Sequence, residues 1–240
     1  AMGVARAKKL LGPWEKYEKN PLFTSNDTWK CPGHGTPVER DGKFYLLYHA
    51  YHTKGDVYVG RQGVLKAFRF TENGWIELAD EDAEKSIVPS QLTDEFNGTT
   101  LSPHWQWSVF QTPVFNVKNG RLELNAATDP SGIFLGQRTF ASDYRAEITV
   151  LRSTSKAESG LAIVGDEKNL IAGSVKSGKL VVWKLEKNEI TVLAEQSIPA
   201  GDKIRIRVDV KEGKDVSFSY SMDDKTFTNA HESPADGFYL

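Results

Sequence analysis

Two polar residues framed by glycines are the strongest candidates for chemistry in this sequence. His34 stands between Gly33 and Gly35, and Arg61 lies in the run Gly60-Arg61-Gln62-Gly63. Because glycine has no side chain, the backbone beside these residues can approach a ligand closely. A guanidinium offers five donors in a rigid fork, which suits sugar hydroxyls or a carboxylate. The pattern favours a polar ligand site; the alternatives are a satisfied core histidine and a surface arginine in a turn.

An aromatic segment between the two candidates must position them. Residues 44–52 read Phe-Tyr-Leu-Leu-Tyr-His-Ala-Tyr-His, and side chains alternate between the two faces of a strand. Because both faces are apolar or aromatic, we expect this strand to be buried on both sides. One face receives Phe44, Leu46, Tyr48 and Ala50, and the other receives Tyr45, Leu47, His49 and Tyr51. His49 and His52 face opposite ways, so we interpret them as structural residues and not as a metal pair.

Tight turns divide residues 4–78 into short strands. Arg40-Asp41-Gly42-Lys43 predicts a hairpin, because Asp-Gly supplies the positive φ angles that such turns need. Lys54-Gly55-Asp56 and Glu72-Asn73-Gly74 predict the next two turns. Four short strands joined by three turns fit one antiparallel sheet.

Composition sets limits on the class of protein. The chain has 240 residues, enough for one large or two small domains. Its net charge of −2, with acidic and basic residues mixed, gives no reason to expect nucleic acid or an anionic membrane as a partner. No apolar run approaches the ~20 residues of a membrane span. Cys31 is the only cysteine, which excludes an intrachain disulfide.

The second half of the chain changes character. Residues 79–91 are acidic and lack large apolar side chains at their start, which is typical of an exposed linker. From residue 92 to residue 240 short alternating runs separated by turn signals predict an antiparallel β-sandwich without a helix of useful length. The clearest predicted strands are residues 121–125, 144–151, 160–164, 179–185, 204–210 and 216–221.

Four motifs in the first part carry a family resemblance. They are Leu10-Leu11-Gly12-Pro13-Trp14-Glu15-Lys16-Tyr17, Asn20-Pro21-Leu22, Pro32-Gly33-His34-Gly35 and Gly60-Arg61-Gln62-Gly63. In order and spacing they resemble the last part of the five-bladed propeller of glycoside hydrolase family 43, the β-xylosidases and α-arabinofuranosidases. The resemblance implies that residues 4–78 form the final blade; an independent small β domain is the alternative.

A second resemblance covers residues 94–240. The stretch from Asp94 to Trp107, with residues 120–124 and 134–138, is similar to the concanavalin-like sandwich appended to many of these hydrolases. The resemblance implies an all-β chain: a last propeller blade, a linker over 79–91 and a sandwich over 92–240. Since the family has blades before residue 4 and further strands after residue 240, we expect a piece of a longer protein. The opening Ala1-Met2-Gly3 reads as a cloning remnant, so localisation stays open.

The resemblance also implies roles for individual residues. His34 matches a histidine on the propeller axis near a calcium ion, although a hard cation prefers oxygen ligands and would need water or carboxylate as well. Arg61, assisted by Gln62, matches an arginine that contacts the sugar in the innermost subsite. Trp29 could stack on a pyranose ring, whereas we expect Trp105 and Trp107 to fill a core or a domain interface.

The implied activity is that of an inverting exo-glycosidase on xylo- or arabino-configured oligosaccharides from xylan and related plant polysaccharides. Such hydrolysis needs two carboxyl groups, and the family's catalytic acids all come from blades that precede Val4. We therefore assign no catalytic residue and expect the chain alone to be inactive. Its partners would be a pentose-containing oligosaccharide and the missing blades. The alternatives are a non-catalytic carbohydrate-binding sandwich and a purely structural one.

Overall fold

Antiparallel β-sheets make up all the regular structure in the described residues. The computed structural model describes residues 1–53, 60–79 and 91–240. These fall into two units, Ala1–Ser90 and Gln91–Leu240. Every regular element in the described ranges is a β-strand, so the predicted all-β class is confirmed. Among the same residues no helix is long and apolar enough to cross a membrane.

The first unit contains a four-stranded meander. Its strands follow chain order, and a separate short pair precedes them. The short pair is β1 (Ala5–Arg6) with β2 (Glu15–Lys16), and the meander comprises β3 (Trp29–Arg40), β4 (Lys43–His52), β5 (Gln62–Phe70) and β6 (Ile76–Leu78). Asp41 and Gly42 have φ angles of 53° and 72°, as the predicted hairpin requires. The predicted turn at Lys54-Gly55-Asp56 lies outside the described residues.

Within the described residues only one face of β4 is buried, so the prediction of burial on both sides was wrong for this part of the chain. Leu46, Tyr48 and Ala50 are at most 7% exposed and form a small core with Phe68. On the opposite face Leu47 is 46% exposed. Its neighbourhood on that face is open as well, with Val38 and Leu65 each 44% exposed. Residues that precede β3, such as Met2 and Phe23, pack against the first face.

The second unit is built on two larger sheets and one hairpin. The hairpin is β7 (Phe115–Val117) with β8 (Leu122–Leu124); the sheets comprise β9 (Tyr144–Leu151), β10 (Ser159–Asp166), β11 (Asn169–Lys176), β12 (Lys179–Glu186), β13 (Glu189–Ser197), β14 (Lys203–Lys211), β15 (Asp215–Ser221), β16 (Thr228–Asn229) and β17 (Ala235–Asp236). The four-stranded sheet has the order β10-β11-β12-β13, and the five-stranded sheet has the order β16-β15-β14-β9 with β17 paired to β15.

The two larger sheets share one hydrophobic core, which confirms the predicted sandwich. In β14 buried Ile204, Ile206, Val208 and Val210 alternate with charged or polar outward residues, and each is at most 1% exposed. They belong to the same cluster as Ile171 and Val182 of the four-stranded sheet. Glycine makes the contact close at one point, since a Cβ on Gly173 would lie 2.5 Å from a ring carbon of Phe218.

The sandwich core supplies a stability prediction. Ile206→Ala removes a side chain that is 0% exposed, and the lost burial plus the remaining cavity should cost about 2–5 kcal/mol. Ile190→Ala is the matched control, because Ile190 is 56% exposed and should cost less than about 0.5 kcal/mol. Urea unfolding of the 240-residue chain measures both. Equal losses for the two variants would contradict the assigned core.

Candidate functional site

Two consecutive β-bulges shape the backbone around His34. In the pairing of β3 with β4, Gly33 faces His49 and Thr36 faces Leu47, so His34 and Gly35 together stand opposite one residue. A second register shift lies just before Gly33. Bulges of this kind bend a strand and re-aim its side chains.

Each bulge contains a residue in the left-handed region. Cys31 has a φ of 54° and His34 a φ of 52°. Outside glycine this conformation costs about 1–2 kcal/mol and concentrates at functional sites. His34 is exposed, which excludes a core histidine at this position.

Glycines flank His49 on both neighbouring strands. His49 pairs with Gly33 of β3 and with Gly63 of β5. The imidazole lies against Gly33, since a Cβ there would be 3.2 Å from Cε1 and Nε2 of His49. The Nδ1 atom is buried and has no hydrogen-bond partner within the described ranges. Sequence reasoning treated His49 as structural; the two glycines that face it were visible in the sequence, but their register with it was not.

Arg61, just before β5, is held by Tyr51, which lies two positions after His49 on β4. Its Nε donates a hydrogen bond of 3.1 Å to the hydroxyl of Tyr51, and its guanidinium carbon lies 5.9 Å from the centre of that ring. His49 and Tyr51 share one face of β4 because side chains alternate along a strand. We call His49, Tyr51 and Arg61 the Arg61 cluster; it offers donors and an aromatic ring at an open sheet face.

The other two predicted sugar contacts lie elsewhere in the sheet. Gln62 pairs with Ala50, which belongs to the buried face. Trp29 pairs with His52, and their rings meet edge to face at 5.3 Å. Trp29 also packs against the small core. The structure thus brings Arg61 to the face of His49 and gives Gln62 and Trp29 positions on the face of Ala50.

Calcium ligands are scarce in the described part of the chain. No group of three or more His, Cys, Asp or Glu side chains in residues 1–53, 60–79 and 91–240 could hold a metal ion. Calcium takes about 6–8 oxygen ligands, and His34 offers only imidazole nitrogen. The described residues alone therefore do not fit a calcium site, and the predicted calcium stays untested.

The two tryptophans at the start of the second unit differ in environment. Trp105 donates from Nε1 to a carboxylate oxygen of Asp94 at 2.7 Å, and its ring lies 5.7 Å from that of Phe96. Trp107 is 46% exposed, with its ring 6.4 Å from Phe115. Trp105 is thus half-buried and held by contacts within its unit, and its predicted place in a core or interface stays a prediction. The described structure does not bury Trp107 in a core.

Comparison with known families divides the chain in two. Residues 1–76 match Glycosyl hydrolases family 43. Residues 93–240 match the Beta xylosidase C-terminal Concanavalin A-like domain. No curated protein matches the chain significantly.

Solved structures show the same fold at low sequence identity. The BlXynB protein of family 43 from Bacillus licheniformis matches with a TM-score of 0.75 and 22% identity over 97% of this chain and 51% of its own. A xylan beta-1,4-xylosidase from Bacillus halodurans gives 0.72 and 16% over 99% and 52%. The Bacteroides ovatus protein Xyloglucan PUL GH43B gives 0.73 and 18% over 99% and 53%. The chain thus spans about half the length of these three structures.

The packing of His49 against Gly33 can be tested by adding a methyl group. Gly33→Ala should push the imidazole, because the new Cβ would lie 3.2 Å from it, and overpacking of this kind costs about 1 kcal/mol or more. Gly63→Ala is the control, since its new Cβ would meet only Leu47 at 3.9 Å. Thermal unfolding and the NMR signals of the His49 ring measure the effect. Unchanged His49 signals in Gly33→Ala would refute the contact.

Proposed function

The chain belongs to glycosyl hydrolase family 43 with its concanavalin A-like C-terminal domain, and from this premise we propose that it is part of an inverting exo-glycosidase. Its substrates would be xylo- or arabino-configured oligosaccharides from plant polysaccharides. The observation that carries the proposal is the Arg61 cluster at an open sheet face beside two bulges. In this proposal the first unit is the last blade of the catalytic propeller.

Arg61 is the residue to which we assign sugar binding. The hydrogen bond from Nε to Tyr51 holds one edge of the guanidinium, which reduces the freedom that would be lost when a sugar binds. A guanidinium stays charged at any pH that the protein meets, so it donates hydrogen bonds but cannot serve as the general acid. Gln62 and Trp29 remain proposed second contacts. They have less support because the residues with which they pair, Ala50 and His52, lie on the buried face of β4.

The catalytic carboxyl groups are proposed to come from other parts of the same enzyme. An inverting hydrolase needs a general acid and a general base about 6.5–9.5 Å apart, and burial is what keeps the acid protonated. The side chains of Glu15 and Glu77 are 61% and 54% exposed and pair with Arg6 and Arg69. These two carboxyl groups are therefore solvated and ion-paired, whereas a general acid has to be buried to stay protonated.

An open apolar surface supports the same division. Leu47 pairs with Leu65 across β4 and β5, and with Val38 these side chains leave one face of the sheet partly open. Large exposed apolar patches are a mark of protein–protein contacts. We propose that the preceding propeller blade covers this face in the complete enzyme.

The proposal predicts that the 240-residue chain alone does not hydrolyse glycosides. Its activity on aryl β-xyloside and aryl α-arabinofuranoside should appear only after co-expression with a polypeptide that carries the preceding blades of the same enzyme. Hydrolysis by the purified chain, abolished by one substitution within it, would show that the carboxyl groups lie in this sequence.

Arg61 should matter for turnover in the complemented enzyme. Arg61→Ala is expected to lower kcat/KM by more than about tenfold, since ~1.4 kcal/mol of transition-state binding suffices. Arg40→Ala is the matched control, because the Arg40 side chain is 83% exposed in the hairpin turn. The same small loss in both variants would mean that Arg61 is structural.

A further inference from the structure

A cavity opens at one end of the sandwich, where three loops meet. It is lined by the connection from β9 to β10, by the turn Ser177-Gly178 between β11 and β12, and by Gly201 before β14. Its volume is about 460 Å³, within the range of about 300–1,000 Å³ that small-molecule sites occupy. None of the candidate site residues predicted from the sequence (Trp29, His34, Arg61 and Gln62) lines it.

The floor of the cavity is the edge of the hydrophobic core. Val150 of the five-stranded sheet and Val175 of the four-stranded sheet both line it, and they are 7% and 9% exposed. The cavity therefore lies at the mouth between the two sheets, on strands whose positions the core fixes. A ligand there would meet an apolar base and polar walls.

The walls carry an excess of positive charge. Three cationic side chains line the cavity, Arg152, Lys156 and Lys176, against one carboxylate, Glu158. Both oxygens of that carboxylate are engaged. Oε1 accepts a hydrogen bond of 2.6 Å from Ser174, and Oε2 lies 3.1 Å from Nζ of Lys176.

A buried polar network holds Glu158 in place. Ser174 is 4% exposed, and its hydroxyl accepts a hydrogen bond of 2.9 Å from Nε1 of Trp183. Because Ser174 belongs to β11 and Trp183 to β12, the carboxylate is tied to two strands of one sheet. Glu158 is thus satisfied by Ser174 and Lys176 and leaves the charges of Arg152 and Lys156 to an incoming anion.

The cavity also presents more donors than acceptors. Lys156 has no hydrogen-bond or ion-pair partner among residues 1–53, 60–79 and 91–240. Arg152 donates from one Nη to the carbonyl of Pro199 at 2.6 Å, which fixes the guanidinium and leaves its charge at the cavity wall. Serine hydroxyls complete the lining, among them Ser155 and Ser159, whose oxygens lie 2.8 Å apart.

We propose that this cavity binds a saccharide that carries a carboxylate, that is, a uronic acid unit of a glycan chain. The carboxylate would pair with Lys156 and Arg152, since hydrogen bonds between charged groups are the stronger ones. The sugar hydroxyls would exchange hydrogen bonds with the serines. A compact oxyanion alone would use the cations but not the hydroxyls or the apolar floor. The choice of a glycan rests on the proposed glycosidase function.

Calorimetry on the 240-residue chain tests the proposal directly. The titrants are a xylo-oligosaccharide with one glucuronate side chain, the neutral xylo-oligosaccharide of the same length, and inorganic phosphate. The glucuronate-bearing compound should bind at least about tenfold more tightly than the neutral one. Lys156→Gln should weaken its binding by about tenfold. Lys168→Gln, an exposed lysine in the turn between β10 and β11, should leave binding unchanged.

Three results would overturn the proposal: equal binding of the acidic and neutral saccharides, binding of phosphate but of neither saccharide, and equal losses in Lys156→Gln and Lys168→Gln. Because the readout is binding and not hydrolysis, it separates this inference from the proposed function. Restored hydrolysis in the complemented enzyme without binding of the glucuronate compound would refute this inference alone.

Discussion

The cross-strand register of β3, β4 and β5 is the constraint on which the candidate site depends. It sets Gly33 and Gly63 on either side of His49 and brings Arg61 to the hydroxyl of Tyr51. A slip of one residue would move all of these side chains to the opposite face of the sheet. The tight turn at Asp41-Gly42 fixes the first pairing, and the bulges then shift it so that His34 stands on strained backbone. In this unit the geometry of the candidate site therefore depends directly on the pairing of the hairpins.

The two units differ in how their apolar strands are buried. In the second unit each larger sheet covers the inner face of the other, and side chains such as Ile206 and Val208 reach 0% exposure. In the first unit one sheet has a single covered face, and Leu47 remains 46% exposed opposite buried Tyr48. The sequence of β4 is apolar on both sides, so it matches a fully covered strand better than the environment that the described residues provide.

Sequence reasoning succeeded where the signal is local and failed where it depends on packing partners. The Asp41-Gly42 hairpin and the alternation in β14 were predictable, because turn chemistry and a period of two are visible in consecutive residues. The strand β11 was missed because it is buried along nearly its whole length and so lacks alternation. The strand β13 was missed because its apolar residues lie on an exposed edge. The hydrogen bond from Ser174 to Glu158 joins β11 to the connection between β9 and β10, and composition does not reveal a contact between such distant residues.

The side chains gathered at the Arg61 cluster limit the chemistry that the described residues can perform. A guanidinium cannot release its proton at the pH of the reaction. The hydroxyl of Tyr51 accepts from Arg61, and Nδ1 of His49 is buried against the sheet. None of these groups can protonate a leaving oxygen and activate water on the opposite face of a sugar, which takes two carboxyl groups. Binding groups, in contrast, need only be fixed and charged, and a strand held by its register meets that requirement. The arrangement therefore agrees with the proposed role, in which these residues orient a sugar while other residues supply the proton transfer.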